Sequence, residues 1–205
     1  MNKKRAVFLD RDGTLNFDPG YISQPENLRL IPGVGEGLSL LKKAGFLFIV
    51  VSNQSGVARG LIPQENLKQI HEKLNELLLP WNVAVDYFSL CVHHPDEDCE
   101  CRKPKPRLIL DAAQLFGVEV AESYMIGDRI SDLGAGHAAG CKGSLLVLTG
   151  DGEKSQKELF ELRQKRSSLQ PTFVAHSLQE AAQWIVDQEN VSSSSVFDQT
   201  PEYEK

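Results

Sequence analysis

Two hydrophobic periods alternate along this chain, and that alternation leaves few folds open to it. Short apolar runs near residues 5–9, 46–51, 86–91, 123–126, 144–148 and 172–175 are separated by helical patterns over about 35–44, 64–79, 105–116, 131–139, 153–166 and 178–188. Strands alternating with helices of this length predict βαβ units, hence an α/β fold with a mainly parallel sheet and helices on both faces. Local punctuation agrees: Pro32-Gly33 precedes the first helix, Pro63 starts the second, and Gly45 and Gly140 follow helices. The 205 residues suit a single domain, assigned to 1–189. From Asn190 the chain turns polar and serine-rich, so 190–205 is expected to be a disordered tail.

The strand ends carry the chemistry. The run Ala6–Leu9 stops at Asp10-Arg11-Asp12-Gly13-Thr14. Open α/β sheets bind ligands at the carboxyl ends of their strands. Two neighbouring carboxylates there repel unless a cation lies between them or one takes a proton. That pattern suggests an aspartate nucleophile, a second aspartate as acid/base, and Mg²⁺ screening both; the alternative is a polar strand end with an Asp-Gly turn. The second run ends in Ser52-Asn53-Gln54-Ser55-Gly56, and the fourth in Gly127-Asp128-Arg129-Ile130-Ser131-Asp132, with Arg102-Lys103-Pro104 between them. A hydroxyl, a lysine and a further acid pair would complete a phosphate and metal site.

Cys91, Cys99 and Cys101 crowd one segment, while Cys141 stands apart and is expected to be a small buried residue. No secretion signal is visible at the start of the chain, so a cytoplasmic location is expected and clustered cysteines suggest metal rather than disulfides. Three thiolates with His93 or His94 suit tetrahedral Zn²⁺ with every position filled, a structural site; reduced surface cysteines are the alternative. Such a zinc would stiffen the segment that delivers Lys103. The net charge of −6 speaks against a nucleic-acid partner, and no run reaches the ~20 apolar residues of a membrane span. A small anionic substrate remains open, because local cations can override net charge.

The four polar segments, in this order, resemble the signature of the haloacid-dehalogenase-like phosphatases over about residues 5–150. The resemblance implies a Rossmann-like three-layer α/β/α sandwich that hydrolyses phosphate monoesters through an aspartyl-phosphate. Asp10 is then the nucleophile and Asp12 the acid/base, whose pKa should be raised by the Asp10 carboxylate. Ser52 and Lys103 would hold the phosphoryl oxygens. Mg²⁺ would take Asp10, the backbone carbonyl of Asp12 and Asp128, with Asp132 orienting Lys103 or a water. Only about 40 residues and one helix separate Asp10 from Ser52, so no large cap domain fits and the site should be open.

A zinc loop over 91–103 narrows the resemblance to the zinc-containing group that acts on heptose bisphosphates or on histidinol phosphate. The group's Cys-x-His pattern favours Cys91, His93, Cys99 and Cys101 as ligands. Asn16–Tyr21 and Ser52–Gly60 look like the heptose branch, which implies a small sugar bisphosphate as partner. Its contacts would be Asp18, Pro19, Gly20, Tyr21, Ser52, Asn53, Gln54, Ser55, Arg102, Lys103 and Arg129. Arg102 and Arg129 could take the second phosphate bidentately; the alternative for Arg129 is an ion pair with a helix carboxylate. The open architecture suits a monomer.

Overall fold

The computed structural model describes residues 4–164 and 168–194. Each apolar run forms a strand: β1 (Arg5–Leu9), β2 (Phe46–Asn53), β3 (Tyr87–Cys91), β4 (Tyr124–Gly127), β5 (Gly143–Val147) and β6 (Phe173–Ala175). They make one sheet in the order β3-β2-β1-β4-β5-β6, and every neighbouring pair is parallel. From β1 the chain first builds outward through β2 and β3, then returns to the other side of β1 as β4. The crevice at that reversal, beyond the carboxyl ends of β1 and β4, is where such sheets bind ligands.

The helices are α1 (Val34–Lys43), α2 (Gln64–Leu78), α3 (Arg107–Phe116), α4 (Ile130–Ala139), α5 (Gly152–Gln164) and α6 (Leu178–Ser194). Side chains alternate across a strand, and β1 shows the result. Val7 and Leu9 join Leu38, Leu41, Ile70, Leu74, Ala181 and Ile185 of α1, α2 and α6. Ala6 and Phe8 face the other way, onto Leu108, Ile109, Ala112 and Ala135 of α3 and α4. The expected three-layer sandwich is therefore present. Between β1 and β2 lie only a loop, one 3-10 turn and α1, so no cap domain covers the sheet edge.

Strand β2 runs two residues past its apolar run, to Asn53, and two helix ends also depart from the pattern reading. Helix α3 starts at Arg107 rather than 105, because the residue before Pro106 is disfavoured in the α region. Helix α6 runs on to Ser194, into the segment expected to be a tail. Its first half is held by buried Leu178, Ala181, Ala182 and Ile185, and adding residues to an existing helix costs little even for mediocre formers such as serine. The rest of the predicted tail, 195–205, lies outside the described residues, as do 165–166 of the fifth helical pattern. Among the described residues no helix is long and apolar enough to cross a membrane.

Candidate active site

Parallel register brings the functional strand ends to one edge. Leu9 pairs with both Val50 and Ile126, and the Asp10 amide continues the ladder to the Ile126 carbonyl at 3.0 Å. Asp10 thus emerges between the ends of β2 and β4 and is only 6 % exposed. Lys103, 4 % exposed, lies 2.9 Å from Asp10 Oδ1 and 2.6 Å from Asp132 Oδ1, and its Nζ also donates to the Val51 carbonyl at 2.7 Å. Asn53 brackets the same lysine from behind. Its Oδ1 accepts from the Lys103 amide (3.1 Å) and its Nδ2 donates to the Lys103 carbonyl (3.2 Å).

Asp128 sits at the end of β4 with no exposure. Its Oδ2 accepts from the Asp151 amide at 2.8 Å. A Cβ on Gly13 or Gly150 would fall 2.2 Å or 2.3 Å from that oxygen, and both glycines have positive φ (84° and 55°). Thr149 Oγ1 donates to the Gly13 carbonyl at 2.6 Å and closes the two loops on each other. The β5–α5 loop therefore builds the floor of the site, a contribution the motif reading missed. Its signal was present as Thr149-Gly150-Asp151-Gly152, a turn cluster at the end of a buried strand.

Charge on this floor is unbalanced. Asp10, Asp128 and Asp132 bring ligand oxygens within 4.8 Å of one another, against one ammonium. Burial, then the Asp10 and Asp132 charges, push the Asp128 carboxyl up to about 8. Burial pushes Asp132 up to about 6 against the pull of Lys103. For Lys103 burial alone would favour the neutral amine, but Asp10 and Asp132 outweigh it and hold the ammonium above its ordinary range. Buried carboxylates in excess of their internal counter-charge, all offering hard oxygen donors, fit a divalent cation.

Asp12 behaves differently from expectation. Its carboxylate is turned into a web of donors: Arg11 Nε (3.0 Å) and Nη2 (2.9 Å) and Asn16 Nδ2 (2.9 Å) to Oδ1, Arg11 Nη2 (2.7 Å) and Gln54 Nε2 (2.8 Å) to Oδ2. Burial would raise its pKa, but the Arg11 charge and the bonds from Arg11, Asn16 and Gln54 prevail and hold it below the ordinary carboxylate value. The expected rise assumed Asp10 as the dominant neighbour; Arg11 is. The clue was available, since an arginine inside a buried strand end needs a carboxylate partner.

Asp10, Asp12, Asp18, Gly20, Tyr21, Ser52, Asn53, Gln54, Ser55, Arg102, Lys103 and Arg129 all line one cleft of about 350 Å³. Pro19 is absent from that lining. Arg129 bridges Asp18 (3.1 Å) and Asp151 (3.2 Å) at the rim, so it pairs with loop carboxylates while still facing the cleft. Arg102 keeps a buried Nη1 without a hydrogen-bond partner among the described residues.

Beside the cleft, Cys91 Sγ lies 3.6 Å from Cys99 Sγ and 3.6 Å from His93 Nδ1. Cys101 Sγ lies 3.1 Å from His93 Nδ1 and 3.8 Å from Cys99 Sγ. A tetrahedron with Zn–S bonds of about 2.3 Å has S···S edges of roughly 3.7 Å, so the four donors fit that ion. All the thiols are free. His94 is turned instead to Asp96, 3.3 Å away. Cys141 is half-buried against the α3–α4 core, with its thiol pushed up to about 12 by burial.

Comparison with known proteins agrees with this construction. Residues 17–140 match the family model of haloacid dehalogenase-like hydrolases, and residues 100–181 match that of HAD-hydrolase-like proteins. The D-glycero-β-D-manno-heptose-1,7-bisphosphate 7-phosphatase of Pasteurella multocida is 38 % identical over 169 residues, covering 77 % of this chain and 92 % of its own length. That of Haemophilus influenzae is 42 % identical over 156 residues, covering 73 % and 84 %. The crystal structure of a heptose 1,7-bisphosphate phosphatase from B. bronchiseptica with magnesium and phosphate superposes with a TM-score of 0.79 at 33 % identity, covering 90 % of this chain and 99 % of that one. Strand order, acid-lined crevice and sequence similarity agree: this chain belongs to the haloacid dehalogenase-like hydrolases.

Proposed function

We propose that this chain removes the 7-phosphate of D-glycero-β-D-manno-heptose 1,7-bisphosphate through an aspartyl-phosphate, in heptose biosynthesis. The observation that carries the chemistry is the buried Asp10 carboxylate, 2.9 Å from Lys103 Nζ at the floor of an open, cation-rimmed cleft. The substrate follows from relatives of that name at about 40 % identity over most of the chain.

Asp10 attacks phosphorus and the bond to the sugar oxygen breaks, with Asp12 giving that oxygen a proton. Asp12, now a carboxylate, takes a proton from water; the water oxygen attacks phosphorus, the bond to Asp10 breaks and phosphate leaves. Lys103 and Ser52 hold the phosphoryl oxygens while their charge is redistributed. The donors around Asp12 favour its carboxylate form, which suits the second step. In the first, an incoming phosphate dianion pushes its pKa back up. Mg²⁺ held by Asp10, Asp128 and the Asp12 carbonyl would supply charge neutralisation at the phosphate. Zn²⁺ on Cys91, His93, Cys99 and Cys101 would be structural and fix the segment leading to Arg102 and Lys103. Asp18, Gly20, Tyr21, Ser55 and Arg129 would form the sugar side of the site, with Arg102 and Arg129 meeting the second phosphate. Asn53 and Gln54, whose amides are already engaged by protein groups, would shape the cleft. We take the chain through the end of α6 at Ser194 as one phosphatase domain and a monomer, and place it in the cytoplasm because three reduced thiolates suit a reducing compartment.

Phosphate release with Mg²⁺ tests this directly. The β-anomer should exceed the α-anomer, histidinol phosphate and an aryl phosphate by ~100-fold in kcat/KM, about 2.7 kcal/mol of transition-state discrimination. A preference for histidinol phosphate would overturn the substrate while sparing the machinery.

A further inference from the structure

Arg11 stands between the two reactive aspartates and is 1 % exposed, the largest fully buried side chain among the described residues. Nothing in the motif comparison gives it a task, yet its fork approaches both oxygens of Asp12, through Nε to Oδ1 at 3.0 Å and through Nη2 to Oδ2 at 2.7 Å. The same Nη2 donates to Gln54 Oε1 at 3.2 Å. Gln54 closes the circuit, since its Nε2 donates both to Asp12 Oδ2 (2.8 Å) and to Ser52 Oγ (2.9 Å). Asp12 is thereby linked through one intervening amide to the Ser52 hydroxyl, the group proposed above to hold the phosphoryl oxygens.

From this geometry we propose that Arg11 is a positioning residue for the acid/base: its buried fork fixes the Asp12 carboxylate, and Gln54 couples that clamp to Ser52. The three side chains make one unit in which the group serving the leaving oxygen and the group holding the phosphoryl oxygens keep a set separation. A lysine would keep the charge but lose the planar fork. This inference rests on Asp12 being the acid/base, and its test separates the two ideas.

A residue that acts only through fold stability slows every substrate alike. A residue that aims a proton donor matters most where the leaving oxygen needs the proton. Single-turnover phosphoryl transfer should therefore be measured for the sugar bisphosphate, an alkyl ester, and for p-nitrophenyl phosphate, whose leaving group is a weak base. Arg11→Lys should slow the sugar ester at least ~30-fold more than the aryl ester, within the usual range of general-acid effects. Asp12→Asn should show the same skew, and combining the two substitutions should add little, because both break one interaction. Equal losses on both esters in Arg11→Lys, with the skew present in Asp12→Asn, would overturn the role of Arg11 alone. No skew in Asp12→Asn would overturn the acid/base assignment and this inference with it. Arg11→Gln, checked by thermal melting, serves as the second variant if the lysine protein does not fold; the same skew is required of it.

Discussion

The acid floor and the cysteine loop are both collections of anionic ligands, and the protein holds them together by opposite means. On the floor, Asp10 and Asp128 are buried at strand ends and Asp132 in the first turn of α4; backbone amides hold Asp128 and Asp132, and Lys103 partly neutralises Asp10 and Asp132. Their placement is set by the sheet before any cation arrives. In the loop, His93 is exposed, Cys99 and Cys101 are half-buried, and the thiols contact one another, His93 and backbone amides of the same loop. A tetrahedral metal would bind all four donors at once. The acid floor is placed by strand ends and a helix start, whereas three of the loop's four donors, His93, Cys99 and Cys101, sit on irregular backbone that a bound ion would stiffen. The two regions meet at Lys103, which follows Cys101 by two residues and is bracketed by Asn53 of β2, while the Gln54 amide donates to the Cys91 carbonyl at 2.7 Å.

This contrast breaks most sharply at Asp10. Asp10→Asn should lower kcat by about 10⁴-fold or more, as losing a nucleophile does, with the melting temperature unchanged or raised because a crowded charge is gone. Steady-state kinetics beside calorimetry would show it, and retained turnover would remove Asp10 as nucleophile. Next comes Cys101→Ser, which should lose bound zinc, measured by elemental analysis, and lower stability and activity together. A stable, active, zinc-free variant would mean the loop does not depend on the ion. Asn53→Ala sharpens the junction between the regions. It frees the Lys103 backbone, and a displacement near 1 Å costs roughly 10²-fold in rate, so kcat should fall without loss of zinc.

A pH slope tests the acid floor alone. Asp128 and Asp132 have folded pKa values raised to about 8 and about 6 from 3.8. The folded state therefore binds more protons than the unfolded state in that interval, and stability falls as pH rises through it. The metal-free protein should melt lower at pH 8 than at pH 5, and the gain on adding Mg²⁺ should grow over the same window, because binding requires the ionised acids. A Mg²⁺ shift independent of pH would place the cation away from Asp128.

Asp10, Ser52, Lys103 and Asp128 were legible because each stands where an apolar run or a ligand segment ends, a property of a few adjacent residues. Cys91, Cys99 and Cys101 were legible for the same reason, as a local cluster, whereas His93 was preferred over His94 only through the family resemblance. Arg11 was read past, because its partner depends on which way the turn after β1 rotates its side chain. Asp151 was missed because β5 comes beside β4 only once the sheet forms, and the double engagement of Asn53 exists only when β2 and the 102–104 segment dock. The end of α6 was misjudged from composition, which records propensity but not the packed first half that carries the helix forward.

Local pattern was thus enough to specify the strand–helix alternation, the ligand-bearing strand ends and the metal-binding spacing, since these depend on periods of two and 3.6 residues and on near neighbours. Packing settled the web of donors around Asp12, the closing of the floor by Gly13 and Gly150, and the hold of Asn53 on Lys103. Those depend on groups far apart in the chain, brought to hydrogen-bonding distance in a medium too poor in water to screen them.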